Sequence, residues 1–84
     1  MKSNIIILGA QGMLGWQILN EFKDKNYNLI CQVRNKKSRE FLKKKLKLKQ
    51  NIKFIYFDVE KDHISKLTNK ISYNDIIINC IGKI

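Results

Sequence analysis

The chain has 84 residues, 44% of them apolar, which suffices for one small domain with a modest core. Its two cysteines, Cys31 and Cys80, lack Cys-x-x-Cys spacing, and no apolar run approaches the roughly 20 residues of a membrane span. This excludes a disulfide-dense scaffold, a zinc ribbon and a membrane-spanning helix within these residues. The formal net charge of +10 raises nucleic acid or an anionic membrane as partners. Without a secretory signal pattern, we expect a cytoplasmic protein with reduced, buried thiols.

The first elements follow from two apolar patterns. Asn4–Leu8 is a run of β-branched and aliphatic residues, typical of a strand that is buried on both faces of a parallel sheet. From Gly12 the apolar residues recur at helical spacing as far as Phe22, and the helix is expected to end near Asn26. A second strand is predicted over Asn28–Val33.

A basic segment follows the second strand. Residues 34–49 contain nine lysines and arginines against one acid, Glu40. Asn35 or Ser38 would cap a helix here, with the narrow apolar stripe Phe41, Leu42, Leu46 and Leu48. Phe41 is the only aromatic residue in the segment, so the stacking surfaces of single-strand binders are missing. We interpret the segment as a solvated helix face and predict neither a nucleic-acid nor a membrane partner.

The remaining elements complete an alternating pattern. Lys53–Phe57 is predicted as a third strand, Asp62 as the cap of a short helix, and Asp75–Asn79 as a fourth strand. The order β-α-β-α-β-α-β with short connections predicts an α/β fold, a Rossmann-like parallel sheet with strand order 3-2-1-4 and right-handed crossover helices. In such sheets ligands bind beyond the carboxyl ends of the strands, here between strands 1 and 4.

A glycine-rich loop joins the first strand to the first helix. Three of the four glycines lie in Gly9-Ala10-Gln11-Gly12-Met13-Leu14-Gly15, a G-x-x-G-x-x-G pattern. Gly9 permits the sharp turn, Gly12 lets a pyrophosphate approach the backbone, and Gly15 lets the helix pack close to the sheet. Because the loop lies between a buried strand and an amphipathic helix, it predicts dinucleotide binding at the helix N-terminus.

The residue after the second strand bears on the choice of cofactor. NAD-binding folds carry an acid at this place for the ribose 2′-hydroxyl, whereas this chain has Arg34. A guanidinium pairs well with a 2′-phosphate, so the sequence favours NADP(H) over NAD(H). The alternative is that Arg34 only begins the solvated basic face.

These features together resemble the extended short-chain dehydrogenase/reductase family, in particular its sugar-nucleotide reductases typified by dTDP-4-dehydrorhamnose reductase. Ile7–Gly15 is similar to the start of those enzymes, Phe57-Asp58-Val59 to the end of their third strand, and Asn79-Cys80-Ile81-Gly82 to the turn beneath their cofactor. The resemblance implies that Asp58 and Val59 contact the adenine. The other cofactor-binding residues that it implies are Gly9, Gln11, Gly12, Met13, Leu14, Gly15, Cys80, Ile81 and Gly82. For Asp58, a strand-ending or helix-capping role remains open.

The catalytic pair that the resemblance implies is Tyr-x-x-x-Lys, and the chain does not contain it. The residues four places after Tyr27, Tyr56 and Tyr73 are Cys31, Glu60 and Ile77. We therefore expect residues 1–84 to be the N-terminal, cofactor-binding portion of an enzyme, without a catalytic residue or the substrate-binding half. The parent would be an NADP(H)-dependent oxidoreductase acting on a nucleotide-linked keto-sugar. An epimerase or dehydratase of nucleotide sugars and a non-catalytic NADP sensor are the alternatives.

The other reactive side chains do not indicate a catalytic or metal-binding role. His63 has no second ligand at metal-binding spacing and is predicted to be a surface residue, so no metal site is expected. Cys80 lacks a histidine base and is interpreted as a structural thiol. Residues 76–81 are β-prone and uncharged, and at an open sheet edge they are expected to cause self-association of the 84-residue chain.

Overall fold

A four-stranded parallel sheet organises the computed structural model, which describes residues 4–48 and 52–81. The strand order is β3-β2-β1-β4, as predicted, and all three pairings are parallel. The elements in chain order are β1 (Asn4–Leu8), α1 (Met13–Phe22), β2 (Asn28–Val33), α2 (Lys36–Leu46), β3 (Lys53–Tyr56), α3 (Ser65–Thr68) and β4 (Ile76–Asn79).

Strand β1 is the centre of the sheet and separates two core clusters. Ile6 is in register with Ile30 of β2 on one side and with Ile77 of β4 on the other. Since neighbouring side chains of a strand point to opposite faces, Ile5 and Ile7 enter one cluster, while Ile6 and Leu8 enter the other. The first cluster includes Leu19, Leu42 and Leu46 from the two long helices, and the second includes Leu67 of α3. The β-branched run is therefore buried on both faces, as predicted.

Helix α1 is shorter than the sequence predicts. It ends at Phe22 instead of near Asn26, and the backbone then turns, with the N–H of Lys25 donating to the carbonyl of Phe22 at 3.0 Å. Two of its apolar residues, Met13 and Leu14, are exposed in the first turn and lie outside both core clusters. The buried face of the helix consists of Gly15 and Leu19.

Helix α2 is capped by Asn35, one of the two predicted alternatives. The Asn35 Oδ1 accepts a hydrogen bond from the backbone N–H of Ser38 at 2.9 Å. Leu42 and Leu46 are buried, whereas three lysines in the last turn stabilise the negative end of the helix dipole: Lys43, Lys44 and Lys45. The basic segment is thus a largely solvated helix face within its described part.

The predicted capping role of Asp62 is wrong. Helix α3 begins at Ser65, and its N-cap residue, Ile64, provides no side-chain hydrogen bond. The Oδ2 of Asp62 instead accepts from the backbone N–H of Asp58 at 2.7 Å, closing a turn just after β3. That hydrogen bond is the main reason why the pKa of Asp62 lies below its ordinary value.

The two cysteines differ in burial. Cys31 is fully buried in the first cluster, and burial raises the pKa of its thiol to about 12. Cys80 follows β4 and is only partly buried, which corrects the prediction that both thiols lie in the core. Its accessibility follows from its position at the carboxyl end of a strand on the sheet edge.

No helix in the described segments combines the length and hydrophobicity that crossing a bilayer requires.

Candidate functional site

The turn after β1 is built on Gly9. Its φ of 73° lies in the left-handed region, which side-chain-bearing residues rarely adopt. A Cβ added to Gly9 would lie 2.9 Å from the carbonyl oxygen of Cys80, so the residue after β4 packs directly against the turn. The backbone N–H of Gly12 donates to the carbonyl of Gly9 at 3.0 Å and completes the turn.

The other two glycines of the loop have different surroundings. A Cβ on Gly15 would overlap the carbonyl oxygen of Gly9, so this glycine is needed for the contact between α1 and the turn. A Cβ on Gly12 would meet only the Gly9 carbonyl oxygen, at 3.4 Å, which is close to ordinary contact. The fold therefore leaves space in front of Gly12 that a ligand can use.

The N-terminus of α1 opens next to this space. No side chain caps it, and its first turn contains no acidic residue. The first intrahelical bond runs from the N–H of Trp16 to the carbonyl of Gly12 at 2.9 Å, so the N–H groups of Met13 and Leu14 precede the helical hydrogen-bond ladder. These N–H groups and the helix dipole favour an anion such as a phosphate.

A cavity of about 210 Å³ lies at the carboxyl ends of the strands, beside the Gly9 turn. Every strand contributes to it through the residues at or just after its end, as expected for a ligand site in an open parallel sheet. The lining residues are Gly9, Gln11, Gly12, Gln32, Arg34, Phe57, Val59, Cys80 and Ile81. The Oε1 atom of Gln11 is buried and has no hydrogen-bond partner among the described residues, so it is available to a donor on a ligand.

A second cavity, of about 240 Å³, adjoins the first and shares Gln11 and Arg34 with it. It extends to the start of α2, where Asn35, Lys37, Ser38 and Phe41 complete its lining. Two of its described lining residues, Arg34 and Lys37, are cationic, and none is acidic. This second cavity suits a second anionic group on the same ligand.

The structure brings together seven of the cofactor-binding residues that the sequence suggested: Gly9, Gln11, Gly12, Arg34, Val59, Cys80 and Ile81. Met13 and Leu14 are exposed at the start of α1, outside the cavity lining, and Gly15 is buried behind the turn. Asp58 is also outside the lining, and its Oδ1 accepts from the N–H of Glu60 at 2.9 Å in a local turn. Gly82 lies outside the described residues.

Sequence reasoning missed Gln32 of β2. It lines the first cavity, and its side chain hydrogen-bonds to the backbone of both Gly9 and Phe57. The only signal in the sequence is a single polar residue inside the apolar run of a predicted strand, Leu-Ile-Cys-Gln-Val. Such a residue indicates either a polar network or a position at the sheet edge, and the pattern alone does not distinguish them.

The rest of residues 4–48 and 52–81 shows no second cluster of reactive side chains. The described residues contain no cluster of three or more potential metal ligands. His63 is exposed, as predicted, and its Nδ1 is 2.9 Å from the Ser65 hydroxyl. A larger cavity of about 350 Å³ lies at the opposite end, by the amino ends of the strands, and contains no residue of the glycine loop.

Three solved structures are similar to this chain in fold. The crystal structure of Gre2 from Candida albicans has a TM-score of 0.74 and 19% identity, over 92% of this chain and 24% of that one. A reductase engineered to attenuate substrate inhibition in asymmetric catalysis has a TM-score of 0.70 and 21% identity, over 94% and 24% of the two chains. SsCR_L211H has a TM-score of 0.72 and 18% identity, over 100% and 25%.

These identities support the shared fold alone, and the chain spans about a quarter of the length of each neighbour. A comparison with curated protein sequences gives no significant match. The model of the NAD-dependent epimerase/dehydratase family matches residues 5–84, which include the glycine turn and all four strands except Asn4, the first residue of β1. The chain therefore belongs to this family, within the extended short-chain dehydrogenases/reductases.

Proposed function

We propose that the cavity at the carboxyl ends of the strands binds NADP(H), and that the chain is the cofactor-binding part of an oxidoreductase acting on a nucleotide-linked keto-sugar. The observation that carries this proposal is the glycine turn. It leaves open space at Gly12, the residue before the uncapped start of α1, and Gly12 lines a cavity formed by all four strands. Calorimetric titration of the chain with NADPH tests the binding step, and absence of binding would contradict it.

The residues present fit a dinucleotide. Gly12 and the first N–H groups of α1 would hold the pyrophosphate, because a phosphate there meets unpaired donors and a favourable dipole. The buried Oε1 of Gln11 would accept a hydrogen bond from a ribose hydroxyl. Val59 and Ile81 supply apolar surface to the same cavity, in keeping with the adenine contact proposed for Val59. Once bound, the nicotinamide supplies or accepts the hydride.

The preference for NADP(H) is supported by the second cavity. Arg34 lines both cavities, and Lys37 adds a second cation where a 2′-phosphate would extend from the ribose. A carboxylate for the 2′-hydroxyl, which an NAD site needs, is absent from the described lining of either cavity. If Arg34 only begins a solvated helix face, the chain should bind NADPH and NADH with equal affinity.

The first prediction concerns Arg34→Asp. The wild-type chain should bind NADPH at least about tenfold more tightly than NADH, since a hydrogen bond to a charged group contributes about 1.5–3 kcal/mol. The substitution should remove or reverse this preference, because aspartate repels the phosphate and accepts from a 2′-hydroxyl. Calorimetry with both cofactors measures the ratio.

The matched control for this prediction is Lys44→Asp. Lys44 is an exposed cation on α2 that lines neither cavity, so its variant changes the net charge equally. The cofactor ratio of this control should stay at the wild-type value. Equal affinities of the wild-type chain for the two cofactors would contradict the role of Arg34.

The keto-sugar substrate is supported by the resemblance of Ile7–Gly15 to sugar-nucleotide reductases. The family equally accommodates epimerases and dehydratases of nucleotide sugars. Because the 84 residues contain no Tyr-x-x-x-Lys pair, we expect them to bind cofactor without turnover. Assays of a longer protein that contains this chain would distinguish the candidate functions, with a nucleotide-linked keto-sugar as one substrate and a nucleotide-linked sugar without the keto group as the other. Net NADPH consumption indicates a reductase, sugar conversion without net consumption an epimerase or dehydratase, and binding alone a sensor.

A second prediction uses the two thiols as reporters. Cys80 lines the proposed cofactor cavity and is partly accessible, whereas Cys31 is fully buried. NADPH should therefore slow the alkylation of Cys80 by iodoacetamide, and Cys31 should stay unmodified in the folded chain. Burial raises the pKa of both thiols, so alkylation of Cys80 should accelerate as the pH rises toward that pKa and thiolate accumulates.

Mass spectrometry of the alkylated peptides measures both rates. The Cys80→Ser variant serves as the control, because its remaining thiol should be inert with or without NADPH. Unchanged alkylation of Cys80 at saturating NADPH would contradict the placement of the cofactor in this cavity.

A further inference from the structure

Gln32 is the only polar side chain that is buried within residues 4–48 and 52–81, with 3% of its surface exposed. It lies on β2, the strand between β1 and β3, one residue before the end of the strand. An amide in such a place is costly unless both of its polar atoms are hydrogen-bonded. Its retention inside an otherwise apolar strand therefore points to a specific structural task.

Both ends of the Gln32 amide are satisfied by backbone groups of the neighbouring strand ends. Its Oε1 accepts from the N–H of Gly9 at 2.6 Å, and its Nε2 donates to the carbonyl of Phe57 at 2.6 Å. Gly9 follows β1 and Phe57 follows β3, so one side chain joins the two strands across β2. These bonds lie beyond the last register pairs of the ladders, Ile7 with Cys31 and Val33 with Tyr56.

We propose that Gln32 is a positioning residue for the dinucleotide site, an inference that rests on the proposed function. It fixes the N–H of Gly9 at the residue whose positive φ directs the loop toward Gly12 and the start of α1. It also fixes the carbonyl of Phe57, which precedes the Asp58-Val59 connection on the other side of the cavity. The amide thus sets the distance between the phosphate-binding turn and the opposite wall.

Positioning by Gln32 requires one hydrogen-bond acceptor and one donor, whereas a packing role would require only a side chain of similar volume. A carboxylate at this place offers two acceptors, so it can receive the Gly9 N–H but repels the Phe57 carbonyl. A protonated carboxyl restores both bonds, because its O–H donates to Phe57 while its other oxygen accepts from Gly9. A methionine side chain has a similar volume but makes neither bond.

The Gln32→Glu variant therefore provides a pH-dependent test. Burial raises the pKa of a carboxyl group, so the glutamate should be protonated under mildly acidic conditions. The protonated form binds cofactor better, and affinity is lost as the pH rises through that pKa. Measured by calorimetry, the ratio of variant to wild-type affinity for NADPH should be near one at pH 5. It should fall about tenfold or more by pH 8.

Wild-type protein at each pH corrects for the other titrating groups. Arg34 and Cys80 line the same cavity, and Asp58, Asp62 and His63 lie on the connection after Phe57. These groups and the 2′-phosphate of NADPH are common to both proteins and cancel in the ratio. Gln32→Met is the packing control, and its affinity ratio should be low and independent of pH.

The outcomes separate this inference from the proposed function. If wild-type chain does not bind NADPH, the proposed function fails and the inference fails with it. Two results with a wild-type chain that binds NADPH would overturn only the positioning role of Gln32. One is a Gln32→Glu affinity ratio that does not change with pH, and the other is a Gln32→Met variant that binds as tightly as wild-type. If either variant fails to fold by far-UV dichroism, hydrogen exchange on the wild-type chain decides. Added protection of the Gly9 amide by NADPH supports the role, and unchanged exchange overturns it.

Discussion

Replacing Gly12 with valine should abolish dinucleotide binding while leaving the fold intact. A side chain at this position meets only the carbonyl oxygen of Gly9, at 3.4 Å, and the extended backbone of Gly12 suits a β-branched residue. The added atoms would occupy the space in front of the start of α1, where the pyrophosphate is proposed to lie. We expect NADPH affinity to fall by more than about a hundredfold, or about 2.7 kcal/mol. Calorimetry measures the affinity and far-UV dichroism the fold.

Gly15→Ala provides the contrast, because it should lower the stability of the fold itself. Its Cβ would overlap the Gly9 carbonyl oxygen and approach the Cα of Ala10 to 2.8 Å, so α1 must move away from the turn. Overpacking of this kind typically costs 1–3 kcal/mol, and a shift of the urea midpoint of unfolding should reveal it. If Gly12→Val still bound NADPH, the phosphates would lie elsewhere and the glycine loop would be only a turn.

The second large effect is expected at β4. We predict that the 84-residue chain self-associates through this strand, which is the edge of the sheet next to β1. Two of its isoleucines are strongly exposed, Ile76 at 54% and Ile77 at 46%, and residues 76–81 contain no charge. An uncharged, exposed edge of β-branched residues readily pairs with another chain. The basic helix α2 connects β2 to β3, away from β4, so its positive charge does not oppose pairing with another chain at this edge.

Ile77→Lys should restore a monomer of 9.9 kDa, because a charge on the exposed strand opposes pairing. The control is Tyr73→Lys, which adds the same charge at a fully exposed position before the strand and should still associate. Sedimentation velocity of the three proteins measures their masses. A monomeric, cooperatively folding wild-type chain would contradict the prediction. In a longer protein, a further strand paired with β4 would remove the edge, and association should be lost.

The strands were predictable because their residues leave few alternatives. The runs Asn4–Leu8 and Asn28–Val33 are too short and too rich in β-branched residues for helices, and the observed strands have the same bounds. Short connections and right-handed crossovers then restrict the strand order, and 3-2-1-4 is confirmed. The glycine loop was also predictable, because its G-x-x-G-x-x-G pattern occurs between a predicted strand and a predicted helix.

The side-chain contacts that shape the site were less accessible to sequence reasoning. Asp62 precedes a helix and resembles a cap, but its carboxylate is used four residues earlier, by the N–H of Asp58. Gln32 interacts with two residues that are 23 and 25 positions away, a relation that no local pattern contains. Met13 and Leu14 match the helical period and yet are exposed, because periodicity describes one side of a helix without showing how far the partner sheet extends.

The topology of the sheet also predicts an order of folding events. Strand β1 pairs with β2 across 24 positions (Asn4 with Asn28), and with β4 across 71 positions (Ile5 with Ile76). Closing the longer loop costs about 1 kcal/mol more in chain entropy, so the β1-α1-β2 unit has the kinetic advantage. The Gly9 turn forms within that early unit, whereas the Cys80 carbonyl that packs against it arrives only with β4. We therefore expect the Gly9 turn to be assembled before the wall that encloses it.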